Sequence, residues 1–272
     1  MNTTLKIRPA AVAGMFYSDS PTELAHDVDA LLKAAAPARA RPAPKALIVP
    51  HAGYVYSGLI AASAYAALAA ARQTIRRVVL LGPTHRVALR GLALPLATGF
   101  ATPLGTVALD TALAQALLDL PQVTQSDAPH ALEHSLEVQL PFLQTALEDF
   151  TLLPLAVGDA TMQEVAEVLD RVWGGPETLI VVSSDLSHYH AYAEAQRLDR
   201  ATAGQIMALS PLSDFDQACG AIPVNGLISC ARKHGLVPRL LALRNSGDSD
   251  AGDRARVVGY GAFAFGEASD DE

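Results

Sequence analysis

Apolar residues follow two rhythms along this chain. In "ALIVP" (46–50), "RVVLLG" (77–82), "TLLPLAVG" (151–158) and "TLIVVSSD" (178–185) they run on without polar alternation. Continuous β-branched and leucine runs of this length predict strands covered on both faces. Between them lie stretches of helical spacing at 57–71, 110–119, 132–147 (interrupted or restarted at Pro141), 161–173, 194–209 and 224–234, with a short helix near 213–219. "LALPL" (92–96) reads as a further strand. "PRLLALR" (238–244) and "RVVGYGAFAF" (256–265) are two last strands flanking the polar loop "NSGDSDAGD". Near the amino end, Ser20-Pro21-Thr22-Glu23 is a capping box with proline at the first helical position. The helix it opens carries Leu24, Val28, Leu31 and Leu32 on one stripe and should stop before Pro37. "APARARPAPK" (36–45) then reads as an exposed proline-rich connection. Strand–helix alternation implies a largely parallel or mixed sheet between helical layers. The expected fold class is therefore α/β: one three-layer domain over residues 1–272, ending in an acidic tail at 267–272.

Composition narrows the classes of partner. The chain has 272 residues, half of them hydrophobic, enough for a large core. Net charge is −8 with no cluster of Lys and Arg, which disfavours nucleic acid and anionic membranes. Two cysteines, Cys219 and Cys230, are too few for a disulfide framework and fit a reducing cytosol. The amino end lacks the apolar core of a signal peptide. The alanine-rich tract 59–71 falls short of a membrane span, and a helix packed within the protein explains it better. A cytoplasmic protein is the expectation.

The chemistry is expected at one edge of the sheet. Ligands of open α/β sheets bind outside the carboxyl ends of the strands. "ALIVP" ends in His51, "RVVLLGPT" ends in His85, and "TLIVVSSD" ends in Asp185 with His188 and His190 just beyond. Three strands thus each deliver a histidine to the same edge, the convergence that a metal or acid–base site requires. Gly53 and Gly58 would let the backbone turn closely beside His51. Tyr54 and Tyr56 either line a pocket or pack, and packing suits one of them. Ser183 and Ser184 lack the surroundings of a nucleophile and read as strand-end hydrogen-bonding groups. Cys219 precedes a helix start, where the amino end favours thiolate and hence metal binding or reactivity; the alternative is a buried apolar residue. Cys230, inside that helix, reads as core. His130-Ala-Leu-Glu133-His134 formally matches H-x-x-E-H, in which two histidines bind zinc and the glutamate activates water. Pro129 places His130 at the first turn, near the surface, so the zinc-hydrolase reading ranks last.

Five blocks then carry a resemblance. "VPHAGYVYSG", "LLGPTHRV", "EHSLEVQLPFLQ", "VVSSDLSHYH" and "CGAIPVNGL", in this order from about residue 8 to the last strand, resemble the successive blocks of the Memo family. In prokaryotes this is protein B of the AmmeMemoRadiSam system, occurring beside a radical-SAM enzyme. The resemblance implies a fold similar to class III (LigB-type) extradiol dioxygenases. It implies metal ligands at His51, His85 and Cys219, and catalytic residues at His188 as acid or base, Asp185 beside it, and His134 near the site. His130 lies outside the family pattern. A thiolate in the place of the dioxygenases' carboxylate would suit iron or copper, with zinc possible. The implied function is a metal-dependent oxidoreductase acting on a small molecule or peptide in the crevice. The alternative from another class is a non-catalytic module that binds a peptide, a partner or a metal there.

Overall fold

In the computed structural model, which describes residues 6–36 and 42–268, four parallel strands form the centre of the sheet. Their order is Ala46–Val49, Thr178–Ser183, Arg77–Pro83 and Thr151–Val157. The sheet becomes mixed at both margins. Val257–Gly266 runs antiparallel to Ala46–Val49 and is itself flanked by Val237–Asn245 and His188–His190. On the other side Leu92–Leu94 pairs antiparallel with Thr151–Val157, and Val123–Gln125 completes the edge. A separate three-stranded sheet joins Ile7–Arg8, Gly99–Thr102 and Gly105–Ala108.

The unbroken apolar runs supply two cores from one set of strands. Successive side chains in a strand point to opposite faces. Leu47, Val49, Val78, Leu80, Leu179 and Val181 accordingly enter one cluster. Ile48, Val79, Leu81, Ile180 and Val182 enter the other. The first face is covered by Pro21–Ala34, by Tyr54–Tyr65 with its 3-10 extension Ala66–Ala71, and by Leu140–Ala146. Met162–Arg171, Ala221–Lys233 and part of Tyr192–Met207 cover the second. Each buried leucine or valine contributes roughly 1.5–3 kcal/mol, and a polar residue at any central position would strip one face. The architecture is thus three-layered α/β, as the alternation of elements implies.

Helix starts follow the expected chemistry. Ser20 caps Pro21–Ala34 by accepting from the Glu23 N–H, although the Glu23 carboxylate turns to Ser18 rather than closing the box. Thr161 and Glu164 form a complete capping box before Met162–Arg171. The connection over 36–45 and the tail at 267–272 fall partly on residues 37–41 and 269–272, outside the described residues.

Three expected helices are corrected. The stretch 132–147 is helical only from Glu137, as a 3-10 turn Glu137–Gln139 followed by Leu140–Ala146 with Pro141 in its first turn. The Glu133 carboxylate accepts the N–H groups of His134 and Ser135, replacing the helical ladder at that point. Near 213–219 there are turns, because Asp214 accepts the backbone N–H groups of Asp216 and Gln217. The expected helix 110–119 ends at Gln115. Short strands such as His188–His190 and Gly99–Thr102 carry too few residues for a recognisable period. Tyr54–Ala71 is long and apolar enough, at 18 residues, to cross a membrane by length and composition, which the shorter span 59–71 did not suggest. Half of it is buried within the fold, where Ile60, Ala64 and Leu68 join the core.

Candidate metal centre

The parallel register brings the carboxyl ends of three strands to one edge, and each strand leaves the sheet with a polar side chain. His51 follows Ala46–Val49, His85 follows Arg77–Pro83, and Asp185 follows Thr178–Ser183. His134 joins them from the irregular segment 132–136. That segment lies tight against the strand at Gly82, where a Cβ would meet Ser135 Oγ at 2.8 Å. Cys219 comes from the turn before Ala221–Lys233. Gly220 lets this turn sit on the strand end, since a Cβ there would approach the Ser183 carbonyl to 2.8 Å. Gly53 is not needed for a close turn: it caps the following helix, with only ordinary contact available to a Cβ. Gly58 serves helix packing against Leu31.

Three imidazoles meet at the floor of a crevice of about 1100 Å³. His51, His85 and His134 each offer a ligand atom within 4.8 Å of the others. His85 and His134 stack with ring centroids 4.7 Å apart, and His51 stands edge-on to both at 5.2 and 5.3 Å. Cys219 Sγ is 3.3 Å from His51 Nε2. A nitrogen and a sulfur sharing one tetrahedral metal would stand about 3.6 Å apart from standard bond lengths. The sulfur therefore faces the cluster and not the hydrocarbon behind it. Among the described residues the three-way grouping holds His134 where the resemblance implied Cys219, with the sulfur on the His51 side.

Two of the rings are held from behind. His85 Nδ1 lies 2.9 Å from Glu133 Oε1, and the His85 backbone N–H donates to Glu133 Oε2 at 2.6 Å. Burial pushes the Glu133 carboxyl up, but the His85 ring and these backbone N–H groups outweigh it and hold it down at about 2. Ionised, it can only accept, so His85 Nδ1 carries a proton and Nε2 is the nitrogen available to a ligand. His51 Nδ1 contacts Ser183 Oγ at 2.9 Å, and the His51 backbone N–H donates to Asp185 Oδ1 at 2.7 Å. Burial and the neighbouring imidazoles hold His51 well below its ordinary value, and burial takes His134 down to about 4. His51 and His134 are thereby held as neutral rings, the ligating form.

Asp185 is buried, and burial raises its carboxyl to about 7 despite the N–H groups of His51 and Ala52. His188 lines the crevice, half-buried, and is lowered by burial. The Cys219 thiol is pushed upward by burial and by Asp185, so without a metal it stays protonated, contrary to the expected effect of the helix amino end. Cys230 is core, as expected. Tyr54 packs, donating to the Val138 carbonyl, while Tyr56 lines the crevice.

The H-x-x-E-H arrangement does not form. The helix Ala128–Ala131 ends before Glu133, and His130, buried rather than exposed, contacts the Ala93 carbonyl through Nε2 at 2.9 Å. Glu133 serves His85 instead. Sequence reasoning missed this role, and it missed Phe16, which covers His134 at 4.8 Å. It also missed Tyr189, whose backbone is left-handed (φ 64°) and whose ring lies at the crevice mouth beneath the Arg256 guanidinium. The left-handed tyrosine has no sequence signal. Glu133 had one, its adjacency to His134.

A mixed α/β sheet with nitrogen donors gathered at the carboxyl ends of its parallel strands defines the class. The fold is similar to a crystal structure of an uncharacterized protein from Escherichia coli, at a TM-score of 0.50 and 11% identity, covering 80% of this chain and 98% of that one. The profile of the Memo-like protein family matches residues 8–264, and the chain belongs to this family. It is 34% identical to a MEMO1 family protein of Aquifex aeolicus over 96% of this chain and all of the relative. It is 36% identical to another from Aeropyrum pernix, over 95% of this chain and 99% of that one.

Proposed function

We propose that the crevice floor holds a transition metal and that the protein is a metal-dependent oxidoreductase. The observation that carries this reading is the convergence of three imidazoles within 4.8 Å. Nitrogen and sulfur donors suit iron, copper or zinc, not the oxygen-seeking magnesium or calcium. Nε2 of His51 and His85 would be two donors, with Cys219 Sγ and His134 beside them. When bound, the metal supplies Lewis acidity and, for iron or copper, one-electron chemistry.

The chain's own residues do the remainder. Glu133 and Ser183 orient the rings. The buried Asp185, with its carboxyl near 7, and the neutral His188 exchange protons with a molecule in the crevice at neutral pH. The substrate is a small molecule taken between Phe16, Tyr56 and Tyr189.

Elemental analysis of protein isolated without added metal tests the centre: a stoichiometric transition metal is expected. The double variant His51→Ala/Cys219→Ser should fold and lose it, and retained metal refutes the donor set. Oxygen consumption with catechol-like compounds, abolished by His188→Ala, would support the enzyme.

A second reading rests on the exposure of Tyr189 (61%) and Phe215 (59%) at the crevice mouth, which suits a non-catalytic module for an extended peptide. Peptide binding that survives metal removal, with no turnover, would favour it.

A further inference from the structure

The His51 ring is backed by a chain of neutral groups whose protons can be counted. Gln139 is buried, and its Oε1 accepts from the Tyr65 hydroxyl at 2.8 Å. Its Nε2 donates to the Pro50 carbonyl at 3.0 Å and to Ser183 Oγ at 2.8 Å. The amide cannot be turned around, because a flipped Oε1 would face the Pro50 carbonyl with no proton between two acceptors. Ser183, also buried, donates its single hydroxyl proton to the Ser135 carbonyl at 2.6 Å. With one Oγ lone pair taken by Gln139 and the proton committed to Ser135, the hydroxyl can offer His51 Nδ1 only a lone pair. Turning the hydroxyl toward His51 would strip the buried Ser135 carbonyl of this donor.

We infer that Gln139 and Ser183 are positioning residues that fix His51 as the Nδ1–H tautomer and so aim its Nε2 lone pair at Cys219 and the imidazole cluster. Cys219 fits from the other side. Its sulfur accepts the Asp185 N–H at 3.3 Å, and its own S–H has the Nε2 lone pair, also at 3.3 Å, as an acceptor. The use of this lone pair for a metal rests on the reading proposed above. The tautomer itself does not, since it is a property of the metal-free chain.

Nitrogen-15 NMR of metal-free protein with labelled histidine reads the tautomer directly. A neutral ring shows one protonated and one bare nitrogen, and His51→Gln assigns the signal. The wild type should show His51 protonated at Nδ1. In Ser183→Ala the signal should become a mixture of tautomers, with metal affinity, read by competition with a chelator, lowered about 10- to 100-fold. Gln139→Leu should move in the same direction by less, and Ser183→Thr, which keeps the hydroxyl, should restore the wild-type pattern. His85, held by Glu133, should stay protonated at Nδ1 throughout. Protonation of wild-type His51 at Nε2, or a tautomer unmoved by Ser183→Ala, overturns the inference. Should Ser183→Ala fail to fold, the wild-type spectrum alone decides. Absence of metal binding with the tautomer as expected would refute the metal reading and leave this one standing.

Discussion

His51 and His85 present equivalent nitrogens to one centre, yet the protein backs them in opposite ways. His51 is 2% exposed and leans on a neutral relay of hydroxyl, carbonyl and amide. The His85 side chain is 30% exposed and leans on an ionised carboxylate. Burial explains the division. A carboxylate behind the fully buried ring would add a second charge beside Asp185, at a desolvation cost no nearby cation offsets. Behind the half-exposed ring, Glu133 is compensated by the N–H groups of three residues and the His85 ring. The carboxylate side should yield the stronger donor, and the neutral side the more rigid one.

The largest test of this difference is Glu133→Leu against Ser183→Ala. The first leaves one buried and two part-buried N–H groups without their acceptor at about 1–3 kcal/mol each, so a loss of roughly 3 kcal/mol or more is expected. The second leaves the buried His51 Nδ1–H and Ser135 carbonyl without this partner, at about 1–3 kcal/mol each, so a loss of roughly 2 kcal/mol or more is expected. Urea midpoints measure both, and equal losses would erase the proposed asymmetry.

Acid should separate the cluster from its surroundings next. His130 and His134 are both held at about 4 in the fold, against roughly 6.5 in the unfolded chain. Their contribution is complete above pH 6.5 and is lost as pH falls toward 4, because only the unfolded chain binds those protons. Asp185 works in reverse. With its carboxyl near 7, its contribution is complete below about pH 3.8 and lost as pH rises through 7. Metal-free Asp185→Asn should therefore lose stability more steeply than the wild type between pH 6.5 and 4, by a few kcal/mol in total. A slope unchanged from the wild type would remove Asp185 from the account.

Glu133→Gln keeps shape but turns an NH2 donor toward at least one N–H group that the carboxylate accepts, so it should cost about 1–3 kcal/mol and weaken metal binding about 10- to 100-fold. The smallest effect is a proton count. Because the Cys219 thiol is held protonated, metal uptake should release about one proton near pH 7, read by calorimetry in buffers of different ionisation enthalpy. Cys219→Ser should abolish that release, and an undiminished release would place the sulfur outside the coordination sphere.

Much of this comparison could be approached from the sequence, and part of it could not. His51, His85 and Asp185 are legible because parallel strands send their carboxyl ends to one edge, so "strand, then histidine" is already a position in space. Ser183 was legible as a strand-end hydrogen-bonding group, though not as the partner of His51. Glu133 was misread because a helical period was extended through 132–136, where a carboxylate captures the backbone N–H groups a helix would need. Gln139 looks like any polar residue at a helix start. Nothing local marks a side chain whose partners lie 44 and 89 positions away.

What the sequence by itself determined was the layered α/β order, the two-faced apolar strands and the edge at which the imidazoles gather. These follow from periodicity and chain direction, which are local properties. The tertiary structure alone decided that Glu133 backs His85, that Ser183 and Gln139 back His51, and that His130 turns to the Ala93 carbonyl. Those outcomes depend on hydrogen-bond partners from distant segments, and a donor or acceptor acquires its role only once burial has removed water as the competing partner.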